Sequence, residues 1–171
     1  SIQDDSKNIL FPSVFISELY SVPVDAGRVK QVLTTPAENA VFSPDGRYIA
    51  YHDVKGYEDV WRKHHQSSVT RDIWIYDIQN NSHKKITSFE GEDRNPVFSA
   101  DGKTIYYLSE MNGSFNITAQ DIDLANQPKS ITNFTKHPIR FLSFAKDTFC
   151  FQYNGEIYTM PLQGTPKKVD I

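Results

Sequence analysis

Asn95-Pro-Val-Phe-Ser-Ala-Asp-Gly-Lys-Thr-Ile-Tyr-Tyr-Leu-Ser-Glu110 is a short apolar strand, a turn at Ser99-Ala100-Asp101-Gly102, and a second strand from Thr104. Asp and Gly late in a tight turn relieve the cost of reversing the chain. Gly accepts positive φ, and the Asp carboxylate bonds nearby backbone N–H groups. The flanking runs are β-branched and aromatic, as hairpin strands are. The same hairpin is written earlier as Ala40-Val-Phe-Ser-Pro-Asp-Gly46 followed by Arg47-Tyr-Ile-Ala-Tyr51. A degraded copy follows as Phe141-Leu-Ser-Phe-Ala-Lys-Asp147 and Thr148-Phe-Cys-Phe-Gln-Tyr153, with Thr148 where the other two have Gly.

Anchoring on the Phe before each turn, Phe42 to Phe98 is 56 residues and Phe98 to Phe144 is 46. The strand after each hairpin repeats too: Asp72-Ile-Trp-Ile-Tyr-Asp-Ile78, Asn116-Ile-Thr-Ala-Gln-Asp-Ile122 and Glu156-Ile-Tyr-Thr-Met-Pro161. A closing anchor recurs as Lys84-Lys-Ile-Thr87, Lys129-Ser-Ile-Thr132 and Lys167-Lys-Val-Asp170. Four short strands in about 40–45 residues is the period of a β-propeller blade. Ahead of the first full copy, Glu18-Leu-Tyr-Ser-Val-Pro23 and Lys30-Gln-Val-Leu33 match the third and fourth strands, and Ile9-Leu-Phe11 reads as a remnant of the second. The expectation is an all-β propeller segment: half a blade over 9–33 and four-stranded blades over 40–87, 96–132 and 139–170. Phe42, Phe98, Val41, Val97, Ile49, Ile105, Tyr107 and Ile75 are expected between blades.

Composition fits. Aromatics make up 13% of 171 residues while Met numbers two, and no Leu- or Ala-rich periodic segment appears. A net charge of −3 with interspersed signs argues against a nucleic-acid face. One cysteine, Cys150, permits no internal disulfide and reads as a small apolar strand residue. No run approaches the roughly 18 apolar residues of a membrane span. Ser1-Ile-Gln-Asp-Asp-Ser-Lys7 carries no signal-peptide layout, and the missing initiator Met suggests a piece of a longer chain.

Antiparallel strands send their turns alternately to two rims. The rim that collects second-to-third connections and inter-blade loops carries the unusual sequence, above all the insertion from Val54 to Arg71. A hairpin needs two to five residues there. Tyr57 and Trp61 are its aromatic anchors, and the insertion is either a solvated loop pinned on the rim or a contact loop. Adjacent His64 and His65 point poorly at one ion and have no completing ligand set, so no metal is expected. Glu90-Gly-Glu-Asp93 reads as a charged loop. No Gly-x-Ser-x-Gly elbow or Gly-rich phosphate loop is present, so no catalytic residue and no cofactor is assigned. Arg62, Lys63, Arg94, Lys136, His137 and Arg140 fall near the elaborated rim, either as solubilising charge or as a hold on a peptide carboxylate or acidic partner.

The two Phe-Ser-x-Asp-Gly hairpins, Asp72-Ile-Trp-Ile-Tyr-Asp-Ile78 and Lys85-Ile-Thr87 resemble the propeller repeats of TolB and of tricorn protease. Lys55-Gly-Tyr-Glu-Asp-Val-Trp-Arg-Lys-His-His65 through Trp74, with Gly91-Glu-Asp-Arg-Asn-Pro96, is similar to the N-terminal propeller of bacterial tricorn-like serine peptidases. That resemblance implies a non-catalytic segment that docks or filters peptide for a catalytic core outside this chain. Tyr57, Trp61, Arg62, His64, His65, Arg94, Lys136 and His137 are then the candidate contacts. The partners it implies are a peptide or protein substrate and the rest of the parent peptidase; the resemblance favours an exported or periplasmic setting and leaves a cytoplasmic one open. The alternative is a TolB-like interaction propeller with no peptidase core, and a third class is a propeller enzyme with its own site. An open arc also exposes blade ends, at Leu19, Tyr20 and Val22 and at some of Phe149, Phe151 and Tyr153 as register decides, through which copies would self-associate.

Overall fold

The structure is a computed structural model that describes residues 18–56 and 66–170 and the backbone of 8–12. Among the described residues, fifteen strands form four antiparallel sheets and there is no helix. The first sheet holds β1 (Asn8–Pro12), β2 (Leu19–Pro23) and β3 (Lys30–Leu33). The second holds β4 (Ala37–Phe42), β5 (Tyr48–Asp53), β6 (Ile73–Asp77) and β7 (Ser82–Lys85). The third runs from β8 (Asp93–Phe98) through β9 (Thr104–Ser109) and β10 (Asn116–Asp121) to β11 (Lys129–Ser130). The fourth runs from β12 (Ile139–Ala145) through β13 (Thr148–Tyr153) and β14 (Glu156–Pro161) to β15 (Lys167–Lys168). In each full sheet the strands pair in chain order, and the first strands β4, β8 and β12 lie against one another. They are the inner strands of a β-propeller segment. The first sheet has the second, third and fourth strands of a blade, three where the sequence plainly marks two.

Strand alternation builds the core. Neighbouring residues face opposite sides of a blade. Ala40 and Ile49 pack with Leu19 and Leu33 of the first sheet, while Val41 and Ala50 pack with Phe98, Ile105 and Tyr107 of the next. Val97, Tyr106 and Leu108 in turn meet Leu142, Phe149 and Phe151. A slip of one residue would exchange these sets, so the apolar pattern fixes register. Of the eight expected core residues, Phe42 alone is half-buried. Phe149 and Phe151 are buried as well, and so is Leu19, so the two ends of the segment are less apolar than the sequence implied.

The repeated hairpin closes the same way twice. Ser43 Oγ donates to Asp45 Oδ1 (2.5 Å), the Arg47 N–H donates to the same carboxylate oxygen (3.1 Å), and the Tyr48 N–H donates to Ser43 Oγ (2.8 Å). Ser99, Asp101, Lys103 and Thr104 repeat the set at 2.6, 3.0 and 3.0 Å. Gly46 and Gly102 sit at φ +69° and +70°, where a Cβ is strained. These bonds hold the Asp45 and Asp101 carboxyls below the ordinary value, with the serine hydroxyl the largest cause. The third copy makes a tighter turn. Ala145 pairs directly with Thr148, and Lys146 and Asp147 between them both have positive φ, 49° and 54°, the geometry of a two-residue primed turn. Loss of Gly there shortens the hairpin and leaves it intact.

The Ile-Thr anchors explain themselves in the same terms. Thr132 Oγ1 accepts the Ile117 N–H and donates to Asn116 Oδ1, both at 2.9 Å. Thr87 does the same for the Ile73 N–H (3.1 Å) and, more weakly, Asp72 Oδ1 (3.3 Å). One hydroxyl thus replaces a ladder bond where the outer strand has ended. Thr132→Val is expected to leave the Ile117 N–H unpaired and cost about 1–3 kcal/mol in urea unfolding, whereas Thr132→Ser should keep most of the stability.

Of the charged stretch Glu90–Asp93, only Glu90 is exposed. Glu92 and Asp93 are buried, Asp93 completely, at the junction of the second and third sheets. Both Asp93 carboxylate oxygens lack a hydrogen bond of good geometry, although the Thr87 and Ser109 hydroxyls stand near. Burial raises the Asp93 carboxyl to about 7 from 3.8, with Asp72 and Glu92 adding to the rise and the two hydroxyls opposing it. A raised acid costs stability as it ionises in the folded state: the unfolded chain binds fewer protons between those two values. Stability attributable to Asp93 should therefore be full below pH 4 and fall by up to about 1.4 kcal/mol per pH unit until about pH 7. Asp93→Asn, compared with the natural chain by urea unfolding, should be the more stable protein at pH 8 and lose that advantage towards pH 4. An unchanged difference across the range would mean that Asp93 is not the titrating group.

Candidate functional site

Each inner strand carries a β-bulge at the same place. Pairing with the neighbouring strand shifts between Glu38 and Val41, between Arg94 and Val97, and between Arg140 and Ser143. In each, the residue three before the anchor Phe adopts positive φ: Asn39 at 49°, Asn95 at 54°, Phe141 at 54°. Asn tolerates this region, because its short amide bonds locally; Phe does not, and its strain has to be offset by the surroundings. A regular strand shows every other side chain to one side. A bulge breaks that alternation, and two consecutive residues of each strand reach the same space.

That space is a cavity of ≈ 170 Å³. Its walls include Glu38 and Asn39, Arg94 and Asn95, and Arg140 and Phe141, with Arg71, His52, Phe115 and Ile139 behind them. Asn39 and Asn95 also wall a larger trough of ≈ 800 Å³ that follows the three inner strands to their turns at Ser43-Pro44, Ser99-Ala100 and Ala145-Lys146. Trough and cavity follow the line on which the inner strands converge, and the cavity lies at the end away from the repeated turns.

The cations of the cavity are held from behind. Arg71 Nη1 donates to Glu92 Oε1 at 2.8 Å, and the Arg71 N–H donates to Glu92 Oε2 at 3.2 Å. Arg94 Nε lies 3.7 Å from Glu92 Oε1, and its guanidinium covers the Phe115 ring at 4.2 Å. Arg71, Glu92 and Arg94 are all buried. Buried ion pairs cost desolvation that good geometry offsets, so removing one partner is far worse than never having the pair. Burial holds the Arg94 guanidinium below its ordinary value; Arg71 and Arg140 push the same way, and Glu92 and Glu110 oppose.

His52 is buried beside them. Its Nδ1 accepts the Asn95 N–H at 3.3 Å, which assigns the proton to Nε2, 3.5 Å from Glu38 Oε2. Burial lowers its pKa, Arg71 lowers it further, and Glu38 and Glu92 oppose, so His52 is a neutral spacer between two bulges. The insertion springs from the same rim. Its described feet are tied together: Lys55 Nζ reaches Asp72 and the Thr70 carbonyl (2.8 Å), and Asp53 accepts the Asp72 N–H (2.8 Å) and Trp74 Nε1–H (3.1 Å).

Of the residues singled out by sequence, Tyr57, Trp61, Arg62, His64 and His65 lie outside the described residues. Arg94 is buried in the cavity wall rather than displayed on the rim. Lys136 and His137 are exposed ahead of β12, with the His137 ring edge-on to Tyr153 at 5.8 Å. The structure brings Arg94 together with Arg71 and Arg140 and leaves Lys136 and His137 outside the cavity wall. Sequence reading missed His52, Glu38, Arg71, Glu92 and Phe141. The recurrent Asn three places before Phe42 and Phe98 was the available signal for the bulge. Among the described residues no group of three or more His, Cys, Asp or Glu could hold a metal ion, and no helix is long and apolar enough to cross a membrane.

The chain is similar in sequence to the tricorn protease of Thermoplasma volcanium, 28% identical over 158 residues that cover 89% of this chain and 15% of that protein. In fold it is similar to TolB of Agrobacterium tumefaciens, with a TM-score of 0.75 at 20% identity over 94% of this chain and 59% of that one. It is also similar to the crystal structure of the tricorn protease, with a TM-score of 0.58 at 18% identity over 96% of this chain and 21% of that one. The chain thus spans only a small part of the tricorn proteases it matches. The tricorn protease N-terminal beta propeller domain family matches residues 3–165. The chain belongs to that family, as an N-terminal propeller domain and not a catalytic part.

Proposed function

We propose that this propeller segment docks or filters peptide substrate for a serine peptidase core carried elsewhere in its parent chain. The observation that supports it is the pairing of an axial trough with a smaller cavity, both walled by the three inner strands. A trough whose walls alternate apolar side chains with polar ones such as Asn39, Asn95 and Ser143 suits an extended chain, and a small cavity with few polar groups suits recognition of one of its side groups. In this reading Arg94 contributes from the cavity, and Tyr57, Trp61, Arg62, His64, His65, Lys136 and His137 contact the incoming chain at the rim. The other partner is the remainder of the parent peptidase. A TolB-like interaction propeller without any peptidase core is the second reading, favoured by the closer geometric likeness to TolB; the full-length gene separates the two. Self-association through blade ends has less to draw on, because Leu19, Phe149 and Phe151 are buried.

Short labelled peptides titrated with the chain and followed by fluorescence anisotropy test the first reading. Saturable binding is expected, with the peptides recovered uncut. Absence of binding across a varied peptide panel, or hydrolysis by the chain alone, would contradict it.

A further inference from the structure

The cavity wall is mostly apolar, although charged residues contribute to it. Leu108, Phe115 and Ile139 line it, and all three are buried. The charges around them are answered within the protein. Glu92 accepts two hydrogen bonds from Arg71 and lies 3.7 Å from Arg94 Nε, while the Arg94 guanidinium covers the Phe115 ring. Glu38 and Arg140 have interactions of their own, and neutral His52 accepts the Asn95 N–H. A charged side group entering here would give up its hydration to meet cations that are already matched. An apolar one gains the return on covered apolar surface. It adds little desolvation, because Arg71, Arg94 and His52 are buried before it arrives.

Size and position narrow the ligand. The volume is ≈ 170 Å³. An engineered cavity of about 150 Å³ lined by Leu, Ile and Phe stays dry and takes up benzene. The space therefore suits one branched aliphatic or small aromatic side chain. Asn39 and Asn95 are common to the walls of cavity and trough, so a chain lying along the inner strands passes the cavity. Phe141 also walls the cavity and is 68% exposed, at φ 54°. The other two bulges use Asn at that place. Phe accepts this backbone only at a cost, and in return it adds an aromatic surface at the cavity mouth.

We propose that the cavity is an apolar side-chain subsite, which takes one Leu- or Phe-sized side chain from a peptide lying in the axial trough. Leu108, Phe115 and Ile139 receive the side chain, and Phe141 covers it from the mouth. The inference rests on the peptide-docking reading for the source of the side chain and on the cavity wall for its chemistry.

The test uses the full chain and two kinds of probe. Peptides capped at both ends, labelled at a distal lysine and differing only in a central Leu, Ala, Asn or Glu are titrated by fluorescence anisotropy. Benzene is titrated separately and followed through the methyl NMR signals of Leu108 and Ile139. The Leu peptide should bind about tenfold more tightly than the Ala peptide, and the Asn and Glu peptides no better than Ala. Phe141→Asn, which installs the residue of the other two bulges, should cut that preference to about threefold, with thermal melts confirming the fold. Benzene should shift the Leu108 and Ile139 signals saturably. Equal affinity for Leu and Asn peptides, a Leu preference unmoved by Phe141→Asn, or benzene that leaves both signals in place overturns the subsite even where peptides dock. If no peptide binds while benzene saturates the two signals, the apolar subsite stands and the peptide-docking reading falls.

Discussion

One backbone constraint organises the functional end of this segment: a left-handed residue in each inner strand, three places before its anchor Phe. The extra residue unpairs the ladder at that point and bends the strand. It also brings two neighbouring side chains of each strand to one space, so that Glu38 and Asn39, Arg94 and Asn95, and Arg140 and Phe141 converge. Without the bulges, alternation would commit one member of each pair to an inter-blade core. The cavity is therefore a product of backbone geometry repeated by blade and then varied in side chain. Two copies use Asn, which accepts the conformation at low cost. The third uses Phe, which does not, and a strained, exposed aromatic is the kind of feature that function retains.

Around this end the structure places its charges in layers. Glu92 lies buried beneath the arginines, His52 bridges two bulges in neutral form, and the feet of the insertion are bound by Lys55, Asp53 and Asp72 on the same rim. Asp93 stands apart from this order. It is buried, without a good hydrogen bond, and poised to titrate near neutrality. Its equivalents in the neighbouring blades, two places before the bulge, are Ala37 and Ile139, which cost nothing to bury. A carboxylate at that position lowers stability above neutral pH, and the fold does not require it.

Those features that depend on contacts within a few residues were legible in the sequence. The Ser-x-Asp-Gly turn closes through bonds spanning two and five positions, so its residues announce it. The strand order and apolar alternation were legible for the same reason, and the resemblance to tricorn-type propellers agreed with them. The third hairpin was harder, because Lys146-Asp147 lacks the Asn-Gly or Asp-Gly of the common primed turn. The burial of Glu92 and Asp93, read as part of a charged loop, and of Arg94, read as a rim residue, was not legible. Charge ordinarily marks exposure, and here the burial comes from an adjacent blade and from Arg71, which lies 21 residues away in sequence from Glu92. No local pattern encodes that pairing. The bulges lay between these cases: their Asn residues recur in register, but a recurring Asn in a strand is visible as a bulge only once the ladder is seen to shift.

Peptide docking at the inner strands requires a ligand to touch the molecule there. Hydrogen–deuterium exchange of the chain, alone and saturated with a peptide that it binds, measures this directly. Slowed exchange at the amides around Asn39, Asn95 and Phe141, with the turns at Asp45–Arg47 and Asp101–Lys103 unchanged, is the predicted result. Protection confined to those turns, or to the outer strands β7, β11 and β15, would contradict it and place recognition away from the inner-strand bulges.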